Sequence, residues 1–322
     1  MKKRFTRREV LVALAGGILG GRAGPLIAGS LPARSNRVIS ARLRLHTGFD
    51  REIAGTLLDR AVARLTGCDD PADAWRSLFS PTDHVSIKVN CLGGSGMSTG
   101  APLVLAVVER LERCGITRNR IIVWDRLGRE LKEAGYPLAA GGSDLQVYGT
   151  DETGYGGEIL ENGAVGSLFS RILTERCNKI INMPVLKDHG ICGMTFALKN
   201  YFGAIHNPNK YHLNRCNPYI GDLNAMPVIR ERETLIVGDL SRIQADGGPS
   251  FKSAWIVPYG GLIAGRDPVA VDAVALKILE QSRERIGRPG LREKGLFPDY
   301  VEAAARTGAG NLEGMEHVEL VV

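Results

Sequence analysis

From about residue 51 onward, short apolar runs alternate along the chain with apolar residues at helical spacing. The runs are of strand length, and their nearly continuous apolar character is typical of strands covered on both faces. They lie at residues 85–90, 121–125, 145–149, 179–185, 235–240 and 262–265. The helical spacing predicts helices over about 53–65, 102–114 and 268–285. This alternation indicates a single α/β domain over 51–322, with a largely parallel or mixed central sheet flanked by helices.

Charged or amide side chains stand at or just beyond the ends of four predicted strands. They are Lys88 and Asn90, then Asp125, then Lys187 with Asp188 and His189, and finally Asp239. In open α/β sheets, ligands bind beyond the carboxyl ends of the strands. Four strands that each deliver such groups to one edge therefore predict a functional site there.

The densest set of reactive side chains lies in residues 183–217, which hold three of the six histidines. Helical spacing over 194–202 places Thr195 and Lys199 on one face, and the start of that helix would present free N–H groups. Lysines beside a helix N-terminus favour a small anion such as a carboxylate or phosphate. The predicted anion-binding residues are Lys88, Asn90, Thr99, Thr195, Lys199 and Asn200.

The same segment could instead hold a divalent metal through its histidines. The candidate ligands are His189, His206 and His212, although their spacing matches no structural zinc pattern. Histidines that only bond the backbone of their own loops are the plain alternative.

Asp272 lies in a helix that is apolar on nearly every side. A buried carboxylate needs a cation or hydrogen-bond donors, so Lys88, Lys187 or Lys199 is its expected partner. With His189 and Lys187, Asp272 completes the predicted catalytic set.

Residues 1–30 have the order of an export signal. A basic start ends in Arg7-Arg8, a Gly-interrupted apolar run follows over 10–21, and Arg22 comes after it. That run is too short to span a bilayer, which takes about 20 residues. It looks like a twin-arginine signal, which predicts export to the periplasm or cell exterior and no membrane span in the mature chain. An Arg-rich entry segment over 31–50 would then precede the domain.

Charge argues against nucleic acid as a partner. The net charge of +6 is concentrated in residues 1–30, which carry six basic side chains and one acidic side chain. The remainder is nearly neutral, so it lacks the basic surface that nucleic-acid binding requires. The six cysteines contain no CxxC pair and no cluster-binding run, which favours free thiols with at most one bridge.

Four ordered motifs resemble the family called "domain of unknown function 362". They are Ile87-Lys-Val-Asn90 with Thr99, Pro184-Val-Leu-Lys-Asp-His189, Thr195 with Leu198-Lys-Asn200 and Gly203, and Asp267-Pro-Val-Ala-Val-Asp272. The resemblance covers residues 83–310. It implies an iron–sulfur association through an added ferredoxin-like domain in many members. This chain lacks the cysteine runs of that domain, so a cluster bound by this chain alone is not expected.

Three functions fit these observations. The first is an exported enzyme that depends on a cofactor or metal, with or without a link to redox chemistry, and acts on a small anionic substrate. The second is a non-catalytic protein that binds a metal or an anion. The third is a partner subunit of an iron–sulfur redox complex, which would add a redox partner protein.

Overall fold

A mixed ten-stranded sheet forms the centre of the part of the chain that the computed structural model describes, residues 35–44, 49–139 and 144–322. Eight strands form its main path in the order β12-β1-β11-β10-β7-β2-β3-β4, and β8 and β9 extend it beside β10. A separate hairpin joins β5 to β6. The strands are β1 (Arg37–Arg42), β2 (Val85–Lys88), β3 (Ile121–Asp125), β4 (Gln146–Gly149), β5 (Leu160–Asn162), β6 (Val165–Ser167), β7 (Lys179–Asn182), β8 (Val185–His189), β9 (Gly193–Thr195), β10 (Glu233–Gln244), β11 (Ile256–Gly265) and β12 (Glu316–Val321).

One half of the sheet is parallel. Strands β10, β7, β2, β3 and β4 are neighbours that all run in the same direction. Their carboxyl ends therefore meet at one edge, as the sequence pattern predicts. The mixed α/β architecture is confirmed.

The other half of the sheet begins earlier in the chain than predicted. Strand β11 runs antiparallel to β10, β1 is antiparallel to β11, and β12 is parallel to β1. Residues 37–42, assigned from the sequence to an entry segment, are thus part of the sheet, and the compact unit extends over Arg34–Val322. Residues 1–30, where the export signal is predicted, lie outside the described residues.

Helices cover both faces. The main helices are α1 (Arg51–Thr66), α2 (Pro71–Arg76), α3 (Ala101–Arg113), α4 (Gly128–Glu133), α5 (Thr150–Thr153), α6 (Arg171–Glu175), α7 (Ala197–Asn200), α8 (Tyr219–Asn224), α9 (Pro227–Arg230), α10 (Pro268–Arg285) and α11 (Tyr300–Arg306). Alternate residues of β3 belong to different cores: Val123 to the core that includes residues of α1 and α3, and Trp124 to the core that includes residues of α10 and α11. Because side chains alternate along a strand, this division shows a sheet buried on both sides.

An interruption between β7 and β8 places residues of β8 at the site. Both β7 and β8 pair in parallel with β10, and Met183-Pro184 separates them. The amide of Asp239 donates to the Pro184 carbonyl at 2.8 Å, which keeps β10 attached across the break. Strand β8 therefore continues past the edge where β7 ends, and β9 folds back on it as an antiparallel hairpin.

The helix predicted over 194–202 is shorter than the sequence indicated. Met194 and Thr195 belong to β9, and α7 is a four-residue helix that continues as a 3₁₀ turn over Tyr201–Ala204. Antiparallel pairing of Lys187 with Thr195 replaces the expected first helical turn. Tertiary pairing thus overrides local spacing here.

None of the helices in the described ranges has the length and apolar character needed to cross a bilayer. All six cysteines are free thiols.

Candidate functional site: a cationic cavity beside the β8–β9 hairpin

A cavity of about 510 Å³ opens beyond the carboxyl ends of β2 and β3. The hairpin β8–β9, helix α7 and the segment Pro208–Cys216 provide other parts of its wall. Its polar lining consists of Lys88, Asn90, Asp125, Arg126, Glu130, His189, Thr195, Lys199, Asn200, Asn209 and His212. The cavity thus lies at the sheet edge where the carboxyl ends of the parallel strands meet, the edge at which the sequence predicts a functional site.

A buried ion pair lies at its base. Lys88 at the end of β2 donates to Asp125 Oδ1 at 2.7 Å, and Asp125 ends the neighbouring strand β3. The backbone amide of Cys91 donates to the other carboxylate oxygen at 2.6 Å. The Lys88 ammonium also donates to the Val89 carbonyl. The charge of Lys88 is therefore balanced by Asp125 within the protein. Other residues must balance the charge of a bound ligand.

Amide side chains connect this pair to Lys187. The Lys187 ammonium donates to Asn90 Oδ1 at 2.9 Å, and Asn90 Nδ2 donates to Asn200 Oδ1 at 3.1 Å. Asn200 in turn donates to the Lys88 carbonyl and to Asn182 Oδ1. Lys187 lies behind Asn90 rather than on the wall. Burial lowers the pKa of its amine to about 8.

Lys199 reaches the cavity from α7. Its ammonium lies 3.1 Å from His212 Nε2 and 4.1 Å from the centre of the Phe202 ring. The Pro208 carbonyl lies 3.1 Å from His212 Nδ1, and a carbonyl can only accept. His212 therefore carries its proton on Nδ1 and accepts from Lys199 at Nε2. Burial and, less strongly, the Lys199 charge lower the pKa of His212, so the ring is neutral.

His189 lines the cavity from the end of β8. The amide of Ile191 donates to His189 Nδ1 at 3.2 Å, which places the ring proton on Nε2. Burial, and then the charge of Lys199, holds the pKa of His189 well below its usual value. The ring stacks on His212 with centres 5.7 Å apart.

Thr195 has an unsatisfied hydroxyl. The side chain lines the cavity from β9 and is 5% exposed, yet its Oγ1 has no hydrogen-bond partner among the residues that the structure describes. Buried hydroxyls normally have a partner. Thr195 therefore has a buried hydroxyl beside the cavity that is unpaired within the described ranges.

Two predicted ligand-binding residues lie elsewhere. Thr99 accepts from the Asn90 amide and donates to the Met183 carbonyl at 2.7 Å, so it holds two segments together behind the wall. His206 is exposed and packs edge-on against Tyr155. Only His189 and His212 of the three predicted metal ligands share the cavity. Within the described ranges no group of three or more His, Cys, Asp or Glu residues could hold a metal ion.

Asp272 does not meet the lysines. Its carboxylate accepts from the Ala197 amide at 2.8 Å and, more weakly, from the Leu198 amide, both at the start of α7. Burial raises the pKa of this carboxyl well above its usual value. The helix N-terminus that was expected to bind an anion is thus occupied by a side chain of the protein, and Asp272 has a positioning role instead of the predicted catalytic one. Asp239 is likewise internal, where it accepts from the Gly100 and Ser241 amides.

Among the charged residues of the cavity, sequence reasoning missed Arg126 and Glu130. They follow β3 directly at a spacing of four, and Arg126 Nη2 lies 3.5 Å from Glu130 Oε1. That spacing next to a strand end was the signal that could have identified them. Burial, and then the Asp125 charge, raises the pKa of Glu130. Lys88 is paired with Asp125 and Arg126 with Glu130, whereas Lys199 has no carboxylate partner among the described residues, so the cavity favours an anion.

Comparison with known proteins identifies the family. The family profile described as Domain of unknown function (DUF362) matches residues 85–277. No curated protein sequence matches the chain.

Two solved structures resemble the fold at low identity. The apoprotein of lactate racemase from Thermoanaerobacterium thermosaccharolyticum is 12% identical, with a TM-score of 0.46 over 76% of this chain and 57% of that one. A protein from Thermotoga maritima is 11% identical, with a TM-score of 0.44 over 71% of this chain and 59% of that one. The chain thus spans under two thirds of either relative. Because the matched family profile extends over more than half of the sequence, this protein belongs to the DUF362 family.

Proposed function

We propose that this protein is an enzyme that binds a small organic anion in the cavity and uses the His189 imidazole to move a proton on it. The observation that carries the proposal is the buried ammonium of Lys199. Lys199 is 6% exposed, and its recorded polar contact is the neutral ring of His212. No carboxylate lies within salt-bridge distance of it in the described part of the chain. A buried charge without a counter-ion is costly, which a bound anion would relieve.

The Thr195 hydroxyl supports the same position for the ligand. Thr195 and Lys199 line one cavity, and the hydroxyl has no internal acceptor in the described residues. An anionic oxygen between them would accept one charged and one neutral hydrogen bond. Such charge-assisted bonds are the stronger kind.

Acid–base chemistry follows from the charges around His189. Burial and, less strongly, the ammonium of Lys199 lower the pKa of His189 and keep its ring neutral. An anion bound to Lys199 would cancel part of that positive potential and raise the pKa of His189 toward its usual value. Ligand binding would thus prepare the imidazole to accept a proton when the substrate is present.

The anion site is tested by titrating the full chain with acetate and with inorganic phosphate in a calorimeter. Replacing Lys199 by Met should weaken binding by about 10- to 100-fold, the value of a hydrogen bond to a charged group. The matched control is Lys210→Met. Lys210 is an exposed lysine of the segment Pro208–Cys216, but its own side chain does not line the cavity. Equal weakening in both variants, or no binding of either anion to the unaltered protein, would refute the site.

The acid–base role is tested by the protons exchanged on binding. Titration in buffers of different ionisation enthalpy should show proton uptake by the unaltered protein below about pH 6. The uptake should disappear in His189→Gln while anion affinity changes only a few-fold. Uptake that persists in the variant would leave a non-catalytic anion-binding protein, the second function expected from the sequence.

A further inference from the structure

We infer that the ligand is an amphiphile whose anionic head lies beside Lys199 and Thr195 and whose apolar body extends to the mouth of the cavity. This inference rests on the proposed anion site and names the class of molecule that fills it. The observation behind it is a gradient in exposure along the wall. The two polar groups that would hold the anionic head are deep, with Thr195 at 5% and Lys199 at 6% exposure. Two large apolar side chains of the same wall are exposed, Leu92 at 52% and Ile191 at 47%.

The two exposed side chains come from different elements. Leu92 lies in the loop that follows β2, whereas Ile191 lies at the turn between β8 and β9. Both nevertheless line one cavity, together with Phe202, Pro208 and Pro249. Isolated apolar residues on a surface need no explanation, but a contiguous set around a concave site marks binding.

The size of the cavity supports a ligand larger than its head group. A water molecule takes about 30 Å³ of liquid. A simple carboxylate at the floor would therefore leave most of the 510 Å³ occupied by solvent next to apolar wall. An apolar body would displace that water from Leu92 and Ile191, which is favourable in proportion to the area covered.

The positions of the polar and apolar side chains also determine which end of the ligand lies deep in the cavity. The buried ammonium of Lys199 stands against the Phe202 ring at 4.1 Å, so Phe202 lies where the polar floor meets the apolar wall. An anionic head can replace water only where donors remain, at Lys199 and Thr195. The apolar end must then point outward along Leu92 and Ile191. The shared chemistry is an anionic head on a hydrocarbon chain, and carboxylate and phosphate ester heads are separated by experiment.

The test is a chain-length series titrated into the full protein: acetate, butanoate, hexanoate and octanoate, with the matching alkyl phosphates in parallel. Complete burial of a methylene is worth about fourfold in affinity. We expect affinity to rise about two- to fourfold per methylene over the part of the chain that the wall covers. The series with the higher affinity at equal chain length identifies the head group.

Matched variants assign the increase to the wall. Leu92→Ser and Ile191→Ser should each reduce the gain per methylene and leave acetate affinity unchanged. Leu213→Ser is the control, because Leu213 is 70% exposed and does not line the cavity. Lys199→Met should instead weaken every member of the series by a similar factor.

The outcomes separate the two proposals. Acetate binding with no gain along the series would overturn the amphiphile and keep the anion site. A gain that Leu92→Ser and Ile191→Ser do not change would also overturn it, since the apolar body would then lie elsewhere. Failure of every member to bind would overturn the anion site itself.

Discussion

Lys187 shows at the level of one residue how the fold tunes a functional group. Its amine is fully buried, donates to Asn90 Oδ1, and lies behind the wall of the cavity. Burial lowers its pKa from 10.5 to about 8. An amine with this pKa gains or loses its proton near neutral pH. The positive charge that lies beside Asn90, behind the cavity wall, therefore depends on pH in this range.

The lowered pKa predicts a pH-dependent stability. Between pH 8 and 10.5 the unfolded chain holds a proton on Lys187 that the folded protein has released, so stability rises with pH in this window. Relative to Lys187→Met, the free energy of unfolding of the unaltered protein should increase by about 1.6 kcal/mol from pH 8 to pH 9.5. Urea titrations at several pH values measure it.

The control for that experiment is Lys132→Met, which removes an exposed lysine. It should give a difference that does not vary over the same range. A constant difference between the unaltered protein and Lys187→Met would contradict the burial of a shifted amine.

Strand polarity predicts much of the site at the residue level. Lys88, Asn90 and His189 come at strand ends that meet at one edge, and the structure places all three on the cavity wall. His206 and Thr99 could not be judged in this way, because their surroundings depend on loops whose paths local pattern does not determine.

At the scale of elements, the carboxylate of Asp272 holds the start of α7. Asp272→Ala would leave the Ala197 and Leu198 amides without an acceptor in the protein interior. We expect a loss of about 2–4 kcal/mol in the free energy of unfolding. Anion affinity should fall as well, because α7 carries Lys199 and Asn200.

A conservative variant separates the capping role of Asp272 from the effect of its charge. Since burial raises the pKa of the Asp272 carboxyl, Asp272→Asn keeps the shape and an acceptor without a charge and should cost much less stability. Thermal unfolding and acetate titration of both variants provide the measurements. If Asp272→Ala melts like the unaltered protein, the capping role is wrong.

Helices and strands could be predicted where one local sequence signal, such as an apolar run or a helix cap, determines them. The apolar runs gave β3 at its observed bounds, and the helix predicted from residue 268 does begin at Pro268, where Asp267 caps it by accepting from the amides of Val269 and Ala270. Strand β9 was missed, because a three-residue strand has no periodicity of its own and exists through pairing with β8. Strand β12 was missed because an edge strand that carries Glu316 and Glu319 resembles a surface segment.

At the scale of the whole molecule, we propose that residues 1–30 direct export of the folded chain by the twin-arginine route. Replacing Arg7 and Arg8 together by Lys should keep the protein in the cytoplasm, because that route selects for the arginine pair. Cell fractionation and immunoblotting in a host with this pathway measure it. Lys2→Arg with Lys3→Arg is the control and should be exported normally. Export of the Arg7 and Arg8 variant at the normal level would rule out the twin-arginine route.

The continuation of β8 past the end of β7 has a consequence for how a ligand is received. Two of the polar groups, His189 and Thr195, are held by a hydrogen-bonded hairpin that is anchored to β10. A hairpin ordered in advance has little conformational entropy left to lose when a ligand arrives. Leu92, in contrast, lies on a loop outside any sheet. If the proposed ligand binds, we therefore expect the hairpin to stay in place and the Leu92 loop to adjust to ligands of different length.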